Sequence, residues 1–182
     1  MADAMIFLTD GFEETEAVVP LDILRRGGMD VKTVSLNGSD WVTGSHGIAV
    51  KADLRFVDAA AEKCGVLIMP GGPGTANYEK DGGFIGLLRS AAANGKLICA
   101  VCAAPSVLGR LGLLKGRTAV CYPGYEKELA GAEIGTRGVE KDGGFITSRG
   151  PGTAAEFGFA ILEECRGKEQ AESVRKAMLF DV

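Results

Sequence analysis

The sequence predicts an α/β fold, a mostly parallel sheet with helices on both faces. Three observations carry this expectation. Short apolar runs alternate with longer amphipathic stretches along the whole chain. The apolar runs are continuous rather than alternating, as in strands buried on both faces. Glycine is abundant, with 27 of 182 residues, roughly twice ordinary usage. It gathers where those runs end, without the period of a fibrous protein.

Met5-Ile6-Phe7-Leu8 is a buried-strand run that Asp10-Gly11 ends. Glu14 to Arg26 reads as a helix stopped by Gly27-Gly28. Pro20 lies inside it and either bends the helix or frees the carbonyl of Glu16. Val31 to Leu36 is a second strand, and Trp41 to Val50 a hairpin or excursion. Val66 to Met69 is the next strand, followed by Pro70-Gly71-Gly72-Pro73-Gly74. Phe84 to Ala93 reads as a helix, Leu97 to Val101 as a strand and Ala103 to Leu111 as a helix. Thr118 to Cys121 and Phe145 to Thr147 complete the strands. Helices over Ala154 to Cys165 and Glu169 to Met178 close the chain. The length fits one domain spanning 1–182.

Composition narrows the function. Lys plus Arg is 20 and Asp plus Glu is 24, a net charge of −4. Such a chain has no electrostatic footprint for nucleic acid or an anionic membrane surface. No apolar run reaches the ~18 residues of a membrane-spanning helix. Met1-Ala2-Asp3-Ala4 lacks the basic start and apolar core of a signal peptide, so a cytoplasmic location is expected. The five cysteines, at 64, 99, 102, 121 and 165, are odd in number and scattered. They read as thiols in a reducing compartment.

In a parallel α/β sheet the site lies outside the carboxyl ends of the strands. The segments there are Asp10 to Glu16, Gly71-Gly72, Cys102, Tyr122-Pro123 and Arg149 to Thr153, and they are expected to converge. Cys102 is the main candidate. It stands at a strand-to-helix junction in Ala100-Val101-Cys102-Ala103-Ala104-Pro105, with small residues two before and two after it. That is the pattern of a nucleophile elbow. Pro105 fits the first helical turn, and the helix start is expected to lower the thiol pKa. Cys99 falls inside the strand and is expected to point away, so a CxxC redox pair is disfavoured. Cys64, Cys121 and Cys165 read as core or surface thiols.

Glu13, Glu14 and Glu16 follow the first strand. Such a run is usually a solvated first turn that complements the helix dipole. One carboxyl facing the thiol, its pKa raised by burial, would serve as a general acid and base. Periodicity leaves open which of the three it is. Gly71-Gly72 offers backbone N–H groups for an oxyanion hole. Ser148 to Thr153 reads equally as an anion-holding helix start or as a tight loop capped at Thr153. His46, the one histidine, sits in the hairpin rather than at the site edge, which disfavours a Cys-His pair. A histidine-rich metal site is excluded by count, and the cysteines do not make the paired spacings of a zinc finger.

Four ordered segments resemble the ThiJ/PfpI superfamily, also called the DJ-one family. They are Asp10 to Glu16, Met69 to Gly74, Ile98 to Pro105 and Thr147 to Thr153, matching over Met5 to about Met178. The branch most resembled holds the Parkinson's-disease protein and the bacterial YajL type. The resemblance implies a flavodoxin-like, doubly wound sandwich and a homodimer. It implies Cys102 as the reactive thiol and Glu16 as the protonated carboxyl beside it. Gly72 and the Ala103 N–H would form the oxyanion site, with no cofactor and no metal. Implied activities are a cofactor-free glyoxalase, removal of early glycation adducts, peroxide sensing through cysteine sulfinate, and chaperone action. The substrates would be small reactive aldehydes or glycated groups. Two positions depart from the family pattern. Tyr122 stands where many members place a histidine, which argues against protease activity. His46 replaces an arginine that reaches the partner's site, while Arg26 keeps the other basic position near the expected dimer contact. Gly71, Tyr122, Arg26 and His46 are therefore candidate substrate or anion contacts.

Overall fold

The computed structural model describes residues 2–180; Met1, the first residue of the N-terminal stretch read above, lies outside them. Strand β1 (Ala4–Leu8) is buried along its whole length. It leads into α1 (Glu14–Arg26), which runs through Pro20 without ending. Proline has no N–H for the carbonyl four residues back, so that of Glu16 loses its helical partner. Strand β2 (Val31–Ser35) follows, then an antiparallel hairpin of β3 (Trp41–Thr43) and β4 (Ala49–Lys51). The short β5 (Leu54–Arg55) precedes β6 (Val66–Met69). A 3-10 stretch over Pro73–Lys80 leads to α2 (Gly82–Ala93), whose first turn is capped by Asp81 accepting from the Phe84 N–H at 3.0 Å.

Strand β7 (Leu97–Val101) carries the cysteine elbow into α3 (Pro105–Arg110), which starts two residues later than expected. The chain continues through β8 (Thr118–Ala119), β9 (Glu133–Ile134), β10 (Val139–Asp142) and β11 (Phe145–Ser148). It closes with α4 (Ala154–Arg166) and α5 (Lys168–Ala177).

The main sheet has seven strands in the order β10-β11-β7-β6-β1-β2-β5. Its neighbours are parallel except β10 and β11. This is the expected α/β sandwich of the flavodoxin-like type. Alternate strand residues feed two cores, one on each face. Ile6, Leu8, Ile68 and Ile146 pack under α1, α4 and α5. Met5, Phe7, Leu67 and Ile98 pack under α2 and α3 with Tyr78 and Phe84.

The expected strand over Thr118 to Cys121 is a correction. Only Thr118–Ala119 is extended, and it pairs with β9 in a separate two-stranded sheet. Strand β11 has β7 on one side and β10 on the other, so it has no free edge. The Val120 N–H instead donates to the Thr147 hydroxyl at 3.0 Å. The β10–β11 hairpin was not expected. Its turn is Gly143-Gly144, both at positive φ (55° and 85°), the backbone that a two-residue hairpin turn demands.

Candidate active site

The five segments expected to converge do so at the carboxyl ends of β1, β6 and β7. The link from β1 is the first turn of α1. Successive residues on a helix are turned about 100° from one another, so Glu14 and Glu16 face nearly opposite ways. Glu16 turns inward and is fully buried. Its Oε2 accepts a hydrogen bond from the Gly71 N–H at 2.8 Å. Its Oε1 is buried without a hydrogen-bond partner. The loop after β6 closes against the loop after β1: the Glu13 N–H donates to the Gly71 carbonyl at 3.0 Å, and Gly74 to Gly11 at 2.8 Å.

Only glycine fits at 71. A Cβ there would lie 2.6 Å from the Cys102 Cβ and 2.8 Å from Glu16 Oε2. The glycine run therefore brings the thiol, the carboxyl and a backbone donor into one contact set.

Cys102 has φ +64°, a left-handed backbone that costs an L-residue roughly 1–2 kcal/mol. The local frame holds it there. Its N–H donates to the Ser148 carbonyl at 2.9 Å, and its own carbonyl accepts from the Tyr122 N–H at 2.8 Å. This is the geometry of a nucleophile elbow, with the side chain lifted off the strand end. The backbone N–H groups of Gly72 and Ala103 point at the sulfur.

The electrostatics of the pair correct one expectation. Burial first, then the charge of Glu16, push the Cys102 thiol up to about 12, against the pull of the Gly72 and Ala103 N–H groups. The helix start does not lower it, because α3 begins only at Pro105 and the thiol is shielded from solvent. Burial pushes Glu16 up to about 7, against the Gly71 N–H and the Cys102 thiol. The two groups titrate as one coupled pair. Near neutral pH the thiol keeps its proton while the carboxyl is about half ionised, and each charge raises the cost of the other.

The remaining candidates fall in two places. The Tyr122 ring is half exposed at the mouth of the site. It comes within 3.2 Å of where a Gly150 side chain would begin, a point 3.9 Å from Glu16 Oε1. Arg26 ends α1, about 15 Å along the axis from Glu16, and pairs with Asp22 at 2.8 Å. His46 sits at the tip of the β3–β4 hairpin, with Nδ1 2.9 Å from Glu14 Oε2 and 3.7 Å from Glu13 Oε2. Neither basic residue is brought to the sulfur.

Glu14 is thus not a solvated residue. Burial alone would raise its carboxyl, but the His46 ring and the N–H groups of Glu14, His46 and Ile48 outweigh this and hold it at about 2. Donating to the Glu14 carboxylate raises the His46 imidazole in turn. The ligand atoms of Glu13, Glu14 and His46 lie within 4.8 Å of one another, the grouping among the described residues close enough to share an ion. Cys99 is fully buried inside β7, with Cys165 and Glu164 of α4 as its charge neighbours. All five cysteines are free thiols.

Two supporting contacts escaped the sequence. The Ser148 carbonyl that holds the Cys102 N–H is a backbone group and leaves no residue-type signal. The Glu14–His46 pair joins positions 32 apart, and nothing in the local pattern of either one announces it.

Comparison with known proteins supplies the family. The family model described as DJ-1/PfpI family matches residues 2–164. The Drosophila melanogaster protein dj-1beta is 39% identical over 179 residues, covering 97% of this chain and 96% of that protein. A Pyrococcus horikoshii protein named Deglycase PH1704 is 31% identical over 150 residues, covering 81% and 90%. The solved structure of oxidized Toxoplasma gondii DJ-1 superposes with a TM-score of 0.93 at 33% identity, covering 100% of both chains. With a family model matched over most of its length and a relative 39% identical across nearly all of it, the chain belongs to the DJ-1/PfpI family.

Proposed function

We propose that the chain protects against reactive carbonyls as a cofactor-independent, cysteine-dependent glyoxalase that converts methylglyoxal to lactate, with deglycase-like action on glycated groups as the related chemistry. The observation that carries this is the left-handed Cys102 set against a fully buried Glu16. A relative named as a deglycase supports the substrate class.

In this mechanism the Cys102 thiol gives its proton to the Glu16 carboxylate, and the resulting thiolate attacks the aldehyde carbon. A sulfur–carbon bond forms, and Glu16 gives its proton to the resulting oxyanion while the Gly72 and Ala103 N–H groups hold that oxygen. Glu16, now a carboxylate, removes the proton from the former aldehyde carbon and returns it to the neighbouring carbon through an enediolate. The hydroxyl proton of the hemithioacetal passes to the second oxygen, which leaves a thioester. The aldehyde carbon is oxidised and the ketone carbon reduced, so no outside redox partner is needed. Water then cleaves the thioester, one of its protons returns to Cys102 or Glu16, the other leaves to solvent with lactate, and the starting pair is restored. Tyr122 is a poor base near neutral pH, and the scheme gives it no proton to carry.

The test is lactate formation from methylglyoxal by protein freed of metal with chelator. Cys102→Ser is expected to abolish turnover. Glu16→Gln is expected to lower it by about 10²–10⁴-fold, the usual range for general acid–base work. Full activity in either variant overturns the assignment.

A second reading is favoured by the buried, unpartnered Oε1 of Glu16, the carboxyl that lies against the Cys102 thiol. Two successive peroxide molecules would carry Cys102 to the sulfinate, each losing one oxygen to the sulfur. Protonated Glu16 would then donate to a sulfinate oxygen. In that case the chain is a redox sensor or chaperone. Peroxide would add two oxygens at Cys102 alone, while methylglyoxal turnover would stay at the level of Cys102→Ser. Five free thiols fit a reducing cytoplasm as the compartment. A second copy of the chain is the partner this reading carries, giving a homodimer.

A further inference from the structure

Beside the cysteine elbow lies a shallow cleft of about 390 Å³, walled by Tyr122, Pro123, Gly138 and the Arg149–Thr153 loop. Its inner wall belongs to the candidate active site. Tyr122 is tied through its N–H to the Cys102 carbonyl, and Gly150 stands between the Tyr122 ring and Glu16 Oε1. One cation lines the cleft, Arg149. Its backbone is fixed by an N–H bond to the Gly138 carbonyl at 3.1 Å. Its side chain is exposed, and no hydrogen bond or ion pair joins its guanidinium to another described residue.

Most other arginines here are occupied. Arg25, Arg26, Arg55, Arg110, Arg117 and Arg166 each pair with a carboxylate. Glu156 approaches Gly138 of the cleft wall but makes no ion pair with Arg149. The first turn of α4 offers no rival donor from Thr153, because its N–H already bonds the Gly150 carbonyl at 3.0 Å. An arginine without a partner on the wall of a cleft, next to a nucleophile, is equipped to hold a planar or tetrahedral oxoanion.

We propose that Arg149 is a specificity-determining residue that extends the reaction beyond neutral methylglyoxal to carbonyl substrates carrying a carboxylate or phosphate. The substrate would lie with its carbonyl at Cys102 and its anion in the cleft, past the Tyr122 ring. This rests on Cys102 being the nucleophile.

The test compares alkylation of Cys102 by iodoacetate and by iodoacetamide, of similar size but different charge. In both reactions sulfur bonds the methylene carbon and iodide leaves. Arg149→Gln is expected to lower the iodoacetate-to-iodoacetamide rate ratio roughly fivefold, as for loss of one partly exposed charge contact. An unchanged ratio overturns the proposal.

Amide shifts of Tyr122 and Gly150, followed during titration with inorganic phosphate and with acetate, decide the subsite separately from sulfur reactivity. Saturable shifts in the wild type that are lost in Arg149→Gln support it, and the tighter anion identifies the substrate group. Equal shifts in both proteins, or none in either, overturn it. If neither reagent alkylates Cys102, the nucleophile assignment fails, and the titration still decides the anion site.

Discussion

At the scale of the residue, burial gives the Glu16 carboxylate a large electrostatic cost. Its native pKa is raised from 4.5 to about 7 by burial. A carboxyl raised in the folded state binds its proton more tightly there than in the unfolded chain. Stability therefore falls as pH rises from about 4.5 through about 7, by as much as roughly 3 kcal/mol. Replacing Glu16 with glutamine removes that dependence. Denaturant unfolding at pH 5 and pH 8 is expected to show Glu16→Gln gaining stability relative to wild type at the higher pH. A parallel pH dependence in the two proteins would mean that Glu16 is not held neutral by burial. Cys102 was legible in the sequence because an elbow constrains its neighbours as well as itself, and Ala100 and Ala104 are small for that reason. The carboxyl was not legible from pattern alone. Which face of α1 is inward depends on the Gly71 loop, 55 positions away in the chain, and the choice of Glu16 came through family resemblance.

At the scale of the element, the loop after β6 has to be held down before its backbone can serve the site. Tyr78, fully buried in the 3-10 stretch that follows, does this. Its hydroxyl lies 2.8 Å from the Phe7 carbonyl on β1 and 2.9 Å from the Pro70 carbonyl at the start of the glycine run. Tyr78→Phe keeps the ring packing against Phe84 and leaves both carbonyls short of a donor. The expected loss is about 1 kcal/mol, read as a fall of roughly 2–4 °C in Tm. An unchanged Tm would mean that the hydroxyl is not what fixes the loop. Long periodic elements were the most legible: α1, β6 and β7 begin and end where their apolar runs and flanking glycines place them. Elements defined by their partners were less so. Thr118 to Cys121 has a strand's composition but no free edge to join, whereas Asp142-Gly143-Gly144 carries the hairpin signal that creates β10 and takes that edge away.

At the scale of the whole molecule, α1 leaves part of one face exposed. Glu14, Val18, Asp22 and Arg26 recur every fourth residue and form one stripe along the helix. Val18 is 47% exposed on that stripe. The β3–β4 hairpin is fastened to its first turn through the His46–Glu14 bond and the Ser45 N–H to the Phe12 carbonyl. It brings two more exposed apolar side chains, Trp41 and Ile48, at 56% and 57%. The proposed homodimer would use this stripe and hairpin, since they join apolar surface to a compensated charge pair and lie off the mouth of the cysteine site. Sedimentation equilibrium at micromolar protein is expected to give twice the 18.9 kDa chain mass. Val18→Lys would place a like charge opposite its own copy across a two-fold axis and return the mass to that of one chain. A wild-type protein of single-chain mass would remove the dimer. A Val18→Lys protein that still sediments at twice the chain mass would keep the dimer but move the contact away from α1, and with it any contribution of Arg26 and His46 to a neighbouring subunit's site.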